Sequence, residues 1–250
     1  MRCLLVLGLS LAVLLPAAAR ADKSDWYQLE VLVFAQAQPN TSEHWDTSLL
    51  PHYDNQAIHF DGSAPALPAA ASANARQAAA SGAWQLQSLD NGQAVADMAR
   101  RMSASGNYRT LFYGRWQQPI PANQTTLPIY LQGGNQLVTH SPLAAPQSMA
   151  VTGTTDANVS SNDSAGDNTD ITINNSAETN SVSLPELQGT ITLSRAHYLH
   201  LDTNLWFAAQ SADQTFFAHI DEPRRLKSGE LHYLDNPLFG LVVRVTPLGK

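Results

Sequence analysis

The chain has 250 residues, carries 14 Lys and Arg against 21 Asp and Glu for a formal charge of −7, and holds a single cysteine, Cys3. An acidic balance of this kind excludes nucleic-acid binding by bulk charge, because neutralising phosphates needs clustered Lys and Arg. One cysteine at the extreme N-terminus excludes a disulfide framework and cysteine-ligated zinc, and the length fits one generous domain or one domain with long insertions.

In chain order, the first signal is export. Arg2 precedes an apolar run from Cys3 to Leu15, then Pro16 and the small-residue pattern Ala19-Arg20-Ala21, which reads as a secretory signal peptide over 1–21 cut before Asp22. The run is roughly a dozen residues, short of the ~20 that a helix needs to cross a bilayer, so no membrane span is expected in the mature chain. Cys3 stands at the beginning of the apolar run, whereas a lipoprotein needs its cysteine at the end. Cleavage removes the only thiol together with Arg2 and Arg20, leaving a more acidic, thiol-free body suited to an oxidising compartment.

The first structured segment is Trp26 to Ala35. Tyr27, Leu29, Val31 and Val33 alternate with Gln28 and Glu30 until Leu32 and Phe34 make both faces apolar, the pattern of a strand entering a core. Gly62 to Ser81 is rich in alanine and proline and reads as a loop, with alanines able to support a short helix around 69–80. Asp90 to Ser105 spaces Val95, Met98 and Met102 on one helical stripe, with Asp90 or Asn91 as cap and Gly106 after the end, predicting an amphipathic helix. Tyr108 to Trp116 is β-prone and is stopped by Pro119 and Pro121. Leu127 to Gln132, the turn Gly133-Gly134-Asn135 and Gln136 to Thr139 read as a hairpin.

Ser141 to Ser183 changes character. It is built of Ser, Thr, Asn, Asp, Ala and Gly with no aromatic residue, and the stretch to Leu187 carries Asp156, Asp163, Asp167, Asp170, Glu178 and Glu186 without Lys or Arg. So little apolar surface cannot offset ordering entropy, which predicts a disordered acidic insertion between 22–140 and 184–250 of a single domain. Beyond it, Gly189 to Ser194 alternates and continues through Phe207 as a long strand. A Ser211-Ala212-Asp213 turn then leads to Thr215–Ile220, and Leu238 to Thr246 closes the domain. Ser228 to Leu234 suits either a strand or a helical turn. The expected architecture is α+β: an antiparallel sheet with one face covered by the 90–105 helix, of split β-α-β type.

Three stretches together carry a resemblance: Tyr27-Gln28-Leu29-Glu30-Val31-Leu32-Val33-Phe34 after a signal peptide, Arg195-Ala196-His197-Tyr198-Leu199-His200-Leu201-Asp202 after Gly189-Thr190, and the long run Arg224 to Gly240. On these the chain resembles the CsiV family of periplasmic proteins, most specifically from Gly189 to Pro247. The resemblance implies a periplasmic, non-enzymatic, peptidoglycan-binding factor. It also implies support of a bifunctional (class A) penicillin-binding protein through LpoA, its outer-membrane lipoprotein activator. It assigns no role to any residue.

The residues themselves concentrate chemistry in two similar clusters, Tyr198-Leu199-His200-Leu201-Asp202 and His232-Tyr233-Leu234-Asp235. His197, His200, His232, Asp202 and Asp235 are zinc-ligand types, but on a strand His197 and His200 point to opposite faces, so neither metal nor other cofactor is expected. No Gly-x-Ser-x-Gly elbow, His-Glu-x-x-His helix or Ser-x-x-Lys motif is present, and Glu230 with Asp235 is a carboxylate pair of the kind any chain contains, so no catalytic residue is assigned. Saccharide and muropeptide ligands are gripped by aromatic faces and by Arg reaching carboxylates. That makes Arg195, Tyr198, His200, Asp202, Trp206, Arg224, Arg225, His232, Tyr233 and Asp235 the candidate ligand-binding set. Each has a structural alternative. The aromatics suit a core, the aspartates cap turns, the histidines suit satisfied structural positions, and the arginines pair with Asp221, Glu222 or Glu230. An adaptor binding only envelope proteins, through a sheet edge and the Tyr108 to Trp116 strand, is the competing function.

Overall fold

The computed structural model describes residues 25–39, 48–87, 94–139, 182–211 and 214–249. The leader over 1–21 and the acidic insertion, apart from its last two residues, lie outside the described residues, as do Asp90, Asn91, Ala212 and Asp213. In chain order the elements are β1 (Trp26–Gln36), β2 (His59–Asp61), β3 (Ala64–Ala66), α1 (Ala73–Ala80), α2 (Ala94–Ala104), β4 (Tyr108–Pro119), β5 (Gln124–Thr125), β6 (Ile129–Thr139), β7 (Val182–Arg195), β8 (Leu199–Ser211), β9 (Gln214–Leu226), β10 (Leu231–Asp235) and β11 (Phe239–Pro247). The chain is mostly antiparallel β-sheet with two helices, in keeping with an α+β class.

The expectation of one sheet needs correcting. Two antiparallel sheets face each other: β10-β11-β1-β4, and β7-β8-β9 with β5 and β6 both on the free side of β7. Leu29, Val31 and Val33 of β1 with Leu241, Val243 and Val245 of β11 form one buried cluster with Ile129, Leu131, Leu187, Ile191, Leu193, Leu201 and Leu205 of the second sheet. The second sheet has its own apolar face, so it must cover the first as surely as a helix would. The helix is present too, on the outside: Val95, Met98, Ala99 and Met102 of α2 pack on Leu32, Phe34, Tyr113 and Val242. β1 therefore lies between layers, which is why both its faces are apolar. β1 and β4 are direct antiparallel neighbours, not the separated strands of a split β-α-β unit.

Two other expectations fail for instructive reasons. The 127–139 hairpin is one strand, β6, paired with β7 along its length and interrupted only by an irregularity between Gly133 and Gln136. The glycines serve a bulge. Gly134 has φ +75°, and a Cβ on Gly133 would stand 2.0 Å from the Leu111 carbonyl oxygen, so only glycine admits this approach of β4 to β6. The long strand through Arg195 is broken instead by the turn Ala196-His197-Tyr198, after which β8 runs back along β7 with Arg195 opposite Leu199. Leu193 and Leu199 face the same way in either arrangement, so alternation cannot tell them apart. The alanine-rich segment forms a β2–β3 hairpin and then α1, where the Ser72 side chain accepts the Ala75 N–H. The ambiguous 228–234 segment is a turn followed by β10.

Candidate functional site

The two sequence clusters lie in different sheets. Tyr198, His200 and Asp202 belong to the β7–β8 turn and β8, whereas His232, Tyr233 and Asp235 belong to β10, the edge of the first sheet. Tyr198 of the first cluster and His232 with Tyr233 of the second line two separate depressions, whereas His200, Asp202 and Asp235 line neither.

The first depression is the open end of the sandwich, a cavity of about 500 Å3 lined by Tyr27, Arg195, His197, Tyr198, Lys227 and Ser228 among others. Arg195 crosses from β7 to the start of β1. One terminal nitrogen donates to the Tyr27 hydroxyl at 3.0 Å, the other to Asp25, and its buried Nε–H has no partner among the described residues. Tyr198 is 42% exposed. The Arg225 guanidinium carbon lies 3.7 Å from its ring centroid and the His197 ring meets it edge-on at 4.5 Å. Arg225 reaches Tyr198 because β9 places it beside His200, on the face of the second sheet turned away from the core. Alternation puts Asp202 on that same face.

Arg224, one residue away, points to the opposite side and pairs with Glu222 at 2.8 Å. Trp206 is withdrawn from solvent, 2% exposed, packed with Leu184, Ala208 and Phe217 beneath Leu50 and Tyr53. Its ring stacks on His219 at 3.7 Å, and its indole N–H donates to Asn204. Asn204 Oδ1 also binds His219 Nε2 at 2.9 Å and, being an acceptor, fixes the proton on that nitrogen. Burial lowers the His219 pKa, the charge of Asp221 opposing and that of His52 reinforcing the shift.

The second depression is an apolar groove of about 360 Å3 between α2 and β10, lined by Phe34, Met98, Met102, Tyr108, Leu231 and Tyr233 among others. Tyr233 lies parallel to Phe34 at 6.1 Å, and Tyr108 meets Phe34 edge-on at 5.4 Å. The Tyr233 hydroxyl donates to Asp235 at 2.6 Å. Burial, then that carboxylate, push its pKa upward. His232 Nε2 accepts the Lys227 N–H at 2.9 Å and so helps hold the β9–β10 turn.

Among the described residues no three or more His, Cys, Asp or Glu side chains are grouped to hold a metal ion, and no helix is long and apolar enough to cross a membrane. Reasoning from sequence missed Asp25, Tyr27, Lys227 and Ser228 at the open end, and Phe34, Met98, Met102 and Tyr108 in the groove. A signal existed for Tyr27: it is the one hydroxyl-bearing ring on an otherwise aliphatic face of β1.

A family model described as "Peptidoglycan-binding protein, CsiV" matches residues 4–248. No curated protein and no solved structure matches the chain.

Proposed function

Because the chain belongs to the CsiV family of peptidoglycan-binding proteins, we propose that it is a periplasmic protein that holds the cell wall without turning it over, gripping it at the open end of the sandwich. From there it supports a class A penicillin-binding protein through an LpoA-type lipoprotein. The observation that carries the site is the solvent-facing Tyr198 ring clasped by Arg225 at the mouth of a cavity containing Arg195. An aromatic face suits a sugar ring and guanidinium groups suit carboxylates. Glu230 faces Lys227 at 3.6 Å and Asp235 is bound by Tyr233, an arrangement that supports structural roles for both carboxylates.

Sedimentation with isolated sacculi tests the reading. The mature chain pellets with bare sacculi and leaves their muropeptide profile unchanged. If it remains in the supernatant until an envelope protein is added, the adaptor reading takes its place. That second reading has an observation of its own, since Tyr108, Leu231 and Tyr233, exposed by 37%, 44% and 50%, surround the methionine-lined groove beside edge strand β10, and such grooves suit protein segments.

A further inference from the structure

We infer that the open-end cavity takes the free carboxylate of the peptide stem of peptidoglycan, not the hydroxyls of its sugars. The inference rests on the wall-binding reading above and names the group that is held. Sugar hydroxyls both donate and accept, so a site for them presents donors and acceptors together, whereas a carboxylate only accepts. Among the described residues, the side chains lining this cavity include Arg195, Lys227, His197 and Ser228 and no Asp or Glu. The acid beside it, Asp25, is engaged by Arg195. Even so, that guanidinium is incompletely satisfied among the described residues, where its Nε–H is buried without a partner, and a buried donor left over in this way calls for an explanation.

Lys227 adds a second cation. Its contact with Glu230 is 3.6 Å long, with both side chains more than half exposed, a pairing weak enough to yield to a ligand. Arg225 at the mouth is a third, held over the Tyr198 ring. Arg195 and Lys227 line the cavity and Arg225 stands at its mouth, while the nearby carboxylates of Asp25 and Glu230 are engaged by the first two, so the lining itself presents donors to an anion. The cavity, about 500 Å3, has room for the end of a peptide stem.

Calorimetric titration of the mature chain with three soluble probes tests this: a muropeptide with its stem intact, the same muropeptide with its stem carboxylates amidated, and peptide-free glycan. The intact muropeptide binds, and the other two bind at least about tenfold more weakly, the size expected for losing hydrogen bonds to a charged group. Lys227→Gln weakens the intact muropeptide by about fivefold at unchanged Tm, since Lys227 is exposed. Peptide-free glycan binding as tightly as the muropeptide overturns the inference while leaving wall binding in place. Inorganic phosphate displacing the muropeptide at comparable concentration also overturns it, by showing a general anion site. Sacculi retained while every soluble probe fails places the ligand elsewhere. Failure of sacculi as well overturns the wall-binding reading beneath it.

Discussion

At each end of the sandwich one arginine joins the two sheets, and the two differ in what they leave over. At the end where β6 stops and β7 starts, Arg109 of β4 grips both carboxylate oxygens of Glu186 at 2.6 and 2.8 Å, and the Asn135 N–H adds a bond to the same carboxylate at 2.6 Å. Gly133 lets the β6 backbone press against the Leu111 carbonyl. At the other end Arg195 spans the gap to Asp25 and Tyr27 but keeps a donor unmatched among the described residues, and there the sheets part around a cavity. A bidentate pair with its carboxylate fully engaged acts as a clamp. A cation with spare capacity beside empty volume is a place to hold something.

The largest expected effect breaks the closed end. Gly133→Ala puts a Cβ 2.0 Å from the Leu111 oxygen, a backbone clash that no rotamer relieves. Thermal unfolding should show a loss of about 4 kcal/mol or more, or no folded protein. A normal melt would mean that the approach of β4 to β6 is not obligatory.

An intermediate effect sharpens the open end. Arg225→Ala should cut retention on sacculi about fivefold, since it removes a guanidinium from Tyr198 at the mouth. Arg224→Ala should leave retention unchanged, its pairing with Glu222 being an exposed one. Both should melt as the parent does, within about 1 kcal/mol. Equal loss in the two variants would show that charge alone, not placement, governs binding.

The smallest effect lies between the ends, at His219. Burial lowers its pKa, helped by His52 and opposed by Asp221, so the folded chain binds fewer protons there than the unfolded chain. Stability carried by neutral His219 is present above the ordinary histidine value and drains away as pH falls below about 6.5. His59, its pKa also lowered by burial, acts with the same sign. Glu30, whose pKa is raised chiefly by burial, acts oppositely, its contribution fading as pH climbs above its ordinary value of 4.5. Melting curves from about pH 7.5 to about 5.5 should fall for the parent, and His219→Gln should flatten part of that fall. A fall of the same steepness in the variant would assign the acid sensitivity elsewhere.

What could be read from sequence was local. Alternation located β1 and β11, and the spacing of Val95, Met98 and Met102 anticipated the side chains that α2 sets against the first sheet. What could not be read depended on which strand lies beside which. Tyr198 and Arg225 were visible as residue types, but their contact exists only because His200 falls opposite Arg225 in the β8–β9 register. Arg195 finds Asp25 and Tyr27 across separations of 170 and 168 residues. The two Tyr-His-Asp clusters look alike because strands near turns draw on the same residues. Their surroundings, a guanidinium in one case and methionines with Phe34 in the other, come from the layers on which they land.

Thr139 stands directly opposite Val182, so the residues between them leave and re-enter at neighbouring points of one ladder. The 14 residues of β7 separate that exit from the cavity at Arg195, some 45 Å along the strand. Thr139 and Val182 thus mark a pole of the sandwich remote from that cavity. A fluorophore, a purification handle or a tether to a surface attached there would sit a whole strand away from the end proposed to hold the wall.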